Sequence, residues 1–392
     1  MEAGRGRTLN RDADAPAGHP EPGRSSAPEP GPVAAGDPAR DRARGCLLGL
    51  AIGDAMGAPA ENMTAAAIAE RWGPVTGFLR DEPAGTDDTE YAAFSALLLI
   101  EHGAALTSEQ VADAWVRHLA GRAGGFPGAG FSELGTVENL RAGLRPPASG
   151  QHLHSWSDGL AMRAAVHGVY AAGDVALAAR LAAVDGAVSH DGEGVYAGQA
   201  VAVAVAAALA GAGPVEVLAA ARRCVPAESW TAAALATAGT AAGPDALLDE
   251  LVVRAYPWTD LAPEAVGLAF GAFLAAGGEL RRAVPGAVAM GRDADTTAAI
   301  AGALCGASQG MAGIPADWAA AVGPVTGRCL GEVVAGLTMT DLADRLVAAR
   351  SEAARPEAAR SEAARPGAAR PEAARSEAAR SEAARPETRT GR

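Results

Sequence analysis

Apolar residues along this chain fall in runs with three- and four-residue spacing, cut by Gly, Pro or Asp/Thr, and alternating stretches are scarce. That pattern predicts helices rather than strands. "RARGCLLGLAIGDAMG" (42–57) sets Gly45, Gly49 and Gly53 four residues apart. Such a small-residue stripe admits close approach of a second helix, although each glycine lowers helix propensity. "TDDTEYAAFSALLLIEHG" (86–103) opens on Thr and Asp and stops at Gly103, a C-cap. "TSEQVADAWVRHL" (107–119) puts Thr107 and Gln110 at capping-box spacing. Further helical patterns occupy 157–172, 174–188, 194–211, 214–223, 229–241, 263–277, 295–311 and 339–350. The apolar stretch 197–213 is short and dominated by Ala and Gly, so it reads as a buried core helix and not a membrane span. The expectation is an all-α, compact single-domain bundle with functional loops at its helix ends.

The two ends differ from this middle. Residues 1–41 are rich in Pro, Gly and Ala with almost no large apolar side chains, which predicts a disordered arm. Residues 351–392 repeat an EAAR pentad. Glu and Arg three apart favour helix, but proline recurs too often for one long helix, so a solvated, partly helical tail is expected. The folded domain is then 42–350. It holds 19 arginines against 32 acids and carries the whole net charge of −13. Direct nucleic-acid binding is disfavoured by that balance, because phosphate backbones need cationic partners.

All 33 basic residues are arginine, which excludes a Schiff-base or P-loop lysine. The four cysteines, Cys46, Cys224, Cys305 and Cys329, form no C-x-x-C pair, so free thiols in a reducing compartment are expected. The start has no apolar leader-like segment. A cytoplasmic, monomeric protein without membrane contact is the resulting expectation.

Two acidic clusters carry the candidate chemistry. "GTDDTE" (85–90) and "GRDADTT" (291–297) each precede an apolar helix. Either alone reads as a helix N-cap, favoured by the helix dipole by about 0.3–1 kcal/mol. A cap needs one oxygen, yet each cluster offers two carboxylates plus hydroxyls. Carboxylates brought together repel unless cations lie between them. Carboxylate and Thr oxygens are hard ligands, suited to Mg²⁺ or Mn²⁺ and not to zinc.

With these clusters in place the chain resembles the ADP-ribosylglycohydrolase family. The likeness covers most of 42–340 and rests on five ordered segments: "GCLLGLAIGDAMGAPAE" (45–61), "TDDT" (86–89), "SDGLAMRAA" (157–165), "SHDGEGVYAGQA" (189–200) and "GRDADTTAAIAGALCGASQGMAGIPADW" (291–318). The resemblance implies an orthogonal all-α bundle with two Mg²⁺ or Mn²⁺ ions. It implies hydrolysis of the bond between ADP-ribose and a modified protein or small molecule, by water attack at the anomeric carbon of the distal ribose. Carried over, the metal ligands are Thr86, Asp87, Asp88, Asp293, Asp295 and Thr296, and Glu61 is the catalytic group beside them. The same likeness gives Gly128, Gly130, Ser155, Trp156, Gly159 and His190 as substrate contacts, with the glycines letting backbone amides approach the diphosphate. Asp54 is expected to shape its loop. Arg292, Ala294, Gly85 and Glu90 depart from frequent family residues, and Arg292 is a candidate for setting substrate choice or holding a phosphate.

Two other readings stand beside this one. A non-catalytic ADP-ribose-binding or structural protein on the same fold predicts broken clusters, and both are intact. A metal-independent glycoside hydrolase needs two carboxylates on opposite faces of a sugar.

Overall fold

The computed structural model describes residues 37–121 and 130–363. The first half of the described chain holds α1 (Pro38–Gly57), α2 (Ala65–Trp72), α3 (Asp87–His102), α4 (Ser108–Trp115), α5 (Phe131–Arg141), α6 (Gly159–Arg163), α7 (Ala165–Ala171) and α8 (Val175–Gly186). There follow α9 (Glu193–Leu209), α10 (Pro214–Arg223), α11 (Trp230–Ala238), α12 (Pro244–Leu248), α13 (Ala262–Ala275) and α14 (Leu280–Met290). The series ends with α15 (Ala294–Gln309), α16 (Ala316–Ala321) and α17 (Met339–Ala363). Among the described residues the only sheet is an antiparallel pair, β1 (Met63–Thr64) with β2 (Gly291–Arg292). The all-α expectation therefore holds.

The centre is α1 against α15. The two run antiparallel with their backbones touching, because both faces are glycine and alanine. A Cβ added at Gly53 would overlap the Ala298 carbonyl, one at Gly49 the Gly302 carbonyl, and one at Gly306 the Gly45 carbonyl. The glycine stripe read from the sequence is this contact. Its consequence is functional: the C-terminal end of α1, with Asp54, meets the N-terminal end of α15, with Asp293 and Asp295. Gly53→Ala should destabilise the fold by about 1–3 kcal/mol through overpacking. Gly286→Ala, at a helical position where an added Cβ meets nothing within 4 Å, should instead stabilise by about 0.5–1 kcal/mol. Urea unfolding of the two variants checks the contrast.

Around this pair, α9 packs on α6, α7, α8 and α10, while α13 and α14 cover the other side of α15. The apolar segment read as a core helix is α9, whose Ala and Val side chains are buried. The capping box is present: Thr107 N–H donates to Gln110 at 2.9 Å and Gln110 N–H to Thr107 at 3.3 Å. Gly103 closes α3 with φ of 60°.

Three features differ from the sequence expectations. The single pattern over 157–172 is broken into α6 and α7. The first helix begins at Pro38, capped by the Asp37 side chain, ahead of the expected boundary at 42. The last helix continues through Pro356 to Ala363; one proline removes one backbone hydrogen bond, a loss this helix absorbs. Cys46, Cys224 and Cys305 carry free thiols, and Cys46, Cys305 and Cys329 are buried. No described helix is long and apolar enough to cross a membrane.

Candidate active site

The start of α3 is fixed by Asp54 at the end of α1. The fully buried Asp54 carboxylate accepts from the Thr86 N–H at 2.8 Å, the Thr86 hydroxyl at 2.8 Å and the Thr89 N–H at 3.1 Å, and also from the Thr89 hydroxyl. Burial pushes its carboxyl up and these hydrogen bonds pull it back. Asp54 thus positions the first cluster, as its place in the sequence suggested. Gly85 is required here, since a Cβ would come within 2.9 Å of Asp54 Oδ2.

The second cluster is aimed by the short sheet. Met63 pairs with Arg292 and Thr64 with Gly291, and the Asn62 N–H donates to the Arg292 carbonyl at 2.7 Å. This clamps the Glu61 turn beside Asp293. Arg292 itself sits at φ of 65°. Its guanidinium grips Glu264 through two bonds of 2.7 and 3.0 Å and donates to the Tyr256 carbonyl at 3.1 Å. Arg292, a candidate for setting substrate choice or holding a phosphate, has its guanidinium engaged as a strut between the second cluster and the 256–261 loop.

Both clusters open on one cavity of about 1000 Å³. Thr86, Asp87, Asp88, Asp293, Asp295, Thr296 and Glu61 all line it, as do Gly130, Trp156 and Gly159. The clusters touch directly where the Thr296 hydroxyl donates to Asp88 Oδ1 at 3.2 Å. Asp88 Oδ2 and Asp295 Oδ1 are buried without a partner, a costly state for a carboxylate oxygen. Among the described residues no three His, Cys, Asp or Glu side chains close around a common point as a ready ligand cage. A cation here would depend on the two threonine hydroxyls as well, and on the carboxylates closing around its charge. The donor chemistry and the orphaned oxygens fit a hard divalent ion.

Ser155 and His190 are not on the cavity wall, and Gly128 lies outside the described residues. His190 is buried behind the wall, with Nε2 3.2 Å from Ser157 Oγ and Nδ1 2.7 Å from Ser189 Oγ. Burial, with the Arg163 charge, holds its imidazole well below the usual range, hence neutral. The Ser155 carbonyl accepts from the Asp191 N–H at 3.2 Å. The 189–194 segment therefore supports the 155–157 loop from beneath.

The structure adds residues the motifs did not single out. Asp158 lies within side-chain hydrogen-bonding reach of Asp293, which in turn reaches Asp295. Glu133, on α5, is buried on the cavity wall. Its Oε2 accepts from Ser132 Oγ at 2.7 Å and its Oε1 has no hydrogen-bond partner. Asp260 and Trp258 come from the loop before α13. Asp158 adjoins Gly159 inside a quoted motif and was open to notice; Glu133 and Asp260 carry no local signal.

Burial above all, and then their neighbours' charges, holds Asp87, Asp88, Asp158, Asp293 and Asp295 well above the usual carboxylate range. In metal-free protein the fold therefore binds protons that the unfolded chain releases near pH 4. Stability is present at low pH and is lost as pH rises through the raised values. Thermal unfolding between pH 5 and 8 should show a falling midpoint without divalent metal, and Asp88→Asn should flatten the slope. Added Mg²⁺ or Mn²⁺ should stabilise more at pH 8 than at pH 5.

Fold and site together define an α-helical protein whose paired acidic helix starts face a large cavity. The model of the family described as ADP-ribosylglycohydrolase matches residues 35–356. The chain belongs to that family. It is 31% identical over 289 residues to an uncharacterized protein of Archaeoglobus fulgidus, covering 71% of this chain and 90% of that one. A solved chain of an ADP-ribosylglycohydrolase-related protein complex superposes with a TM-score of 0.56 at 26% identity. That match covers 80% of this chain and 99% of the solved one.

Proposed function

We propose that the protein is a cation-dependent hydrolase that releases ADP-ribose from a modified protein or small molecule, with water attacking the anomeric carbon of the distal ribose. One observation carries this reading beyond family membership. Two Asp/Thr helix starts, more than 200 residues apart in sequence, meet at the Thr296–Asp88 hydrogen bond and leave Asp88 Oδ2 and Asp295 Oδ1 buried without partners. Thr86, Asp87, Asp88, Asp293, Asp295 and Thr296 would hold two Mg²⁺ or Mn²⁺ ions, and Asp158 stands close enough to Asp293 to join them. Bound there, such ions neutralise the carboxylates and lower the pKa of coordinated water.

The protein's own residues supply position and proton handling. Asp54 fixes the Thr86 hydroxyl as a donor, leaving its lone pairs for a ligand. Glu61 stands at the cavity edge, where burial and the charges of Asp260 and Asp54 raise its carboxyl. A raised carboxyl suits a group that takes a proton from water or returns one to a leaving group. Arg292 keeps the 256–261 loop against the site.

The alternative is a metal-independent carboxylate mechanism, which needs a pair of carboxylates on opposite faces of the sugar. The readings part in a panel of ADP-ribosylated arginine, serine and nucleotide-end substrates incubated with Mg²⁺, with Mn²⁺ or with chelator. Free ADP-ribose should appear only with metal. Equal release in chelator would establish the carboxylate pair instead, and no release from any member would remove the hydrolase reading.

A further inference from the structure

The cavity wall carries a cation that no other part of the described structure uses. Two arginines line it, Arg292 and Arg328. Arg292 is taken by Glu264. Among the described residues the Arg328 guanidinium has no hydrogen-bond or ion-pair partner; only its backbone N–H is engaged.

That backbone is held firmly. Glu90, buried on α3 just past Asp87 and Asp88, turns its carboxylate toward the 326–330 loop. It accepts from the Thr326 hydroxyl at 2.9 Å and from the N–H groups of Arg328 at 2.7 Å, Cys329 at 2.9 Å and Leu330 at 2.6 Å. Both oxygens of one buried carboxylate are thus committed to the loop that presents Arg328. Glu90 is among the departures from common family residues noted above, and here it couples the helix of the first cluster to that loop.

An exposed guanidinium on the wall of a cavity otherwise rich in carboxyls is a seat for an anionic part of the ligand, and guanidinium suits phosphate geometry. The other candidate seat, the N-terminus of α5 at Gly130, already faces a carboxylate: a Cβ at Gly130 would lie 2.7 Å from Glu133 Oε2. We propose that Arg328 binds a phosphate oxygen of the ADP-ribose diphosphate and that Glu90 is the positioning residue fixing its loop. This rests on the functional reading above and names a specificity determinant within it.

The test is calorimetric binding of ADP-ribose to the full-length protein in Mg²⁺. Arg328→Ala should weaken binding about tenfold or more, the loss of one charge-assisted contact. Arg328→Lys should recover part of it. The salt dependence of binding should be shallower in Arg328→Ala, because a screened charge contact is gone. Glu90→Gln should also weaken ADP-ribose in the wild-type background but add little once Arg328 is alanine, a coupling that general destabilisation would not produce. Unchanged affinity or an unchanged salt slope in Arg328→Ala would overturn the assignment while leaving the functional reading intact. Absence of ADP-ribose binding by the wild-type protein would defeat the functional reading and this inference with it.

Discussion

Asp295→Ala and Asp88→Ala are each expected to lower turnover about a thousandfold or more at saturating Mg²⁺ or Mn²⁺, with the helical fold intact. Each change removes a carboxylate proposed as a metal ligand, at the point where the two clusters meet, and metal catalysis contributes several kcal/mol, each 1.36 kcal/mol being about tenfold in rate. Neither truncation opens a large apolar cavity. Each of the two residues also carries a buried oxygen without a partner, Asp88 Oδ2 and Asp295 Oδ1. Their removal relieves repulsion, so the metal-free variants should unfold at a higher temperature than metal-free wild type. Steady-state rates paired with thermal unfolding check both halves. Wild-type turnover in either variant would place the site elsewhere.

Glu61→Gln should act differently. Glu61 lies outside both clusters, on the turn clamped to Arg292 by the β1–β2 pair, and its Oε1 accepts from Asn62 Nδ2 at 3.0 Å. If it moves a proton, the Gln variant keeps metal and ADP-ribose affinity near wild type while kcat falls about 10²–10⁴-fold. Single-turnover rates across a metal titration decide the role. A rate that recovers fully at high Mg²⁺ would make Glu61 a ligand, and an unaltered rate would make it a solvated bystander.

What the sequence showed and what it hid follow from range. The Gly45–Gly49–Gly53 stripe was legible because helical periodicity is local, and its partner, α15, proved to be another small-residue helix. The two Asp/Thr clusters were legible because acids ahead of apolar runs are anomalous by themselves. Their meeting was suggested by the family likeness, and the backbone contact of α1 with α15 supplies the physical cause. Glu90 was hidden because a glutamate in a first helical turn looks like a dipole partner, whereas here it caps a loop more than 230 residues away. The Arg292–Glu264 pair was hidden for a related reason: Glu264 sits on another helix, and nothing near Arg292 in sequence announces it. Helix α14 was missed because Pro285 inside it reads as a breaker.

The most direct test of the central claim is ADP-ribose release by metal-stripped protein from one competent substrate, measured as Mg²⁺ or Mn²⁺ is added back. The account predicts negligible release in chelator, a rate that rises with cation to saturation, and loss of that response in Asp88→Ala and Asp295→Ala. Full release from the stripped protein, unaltered by added cation, would contradict it.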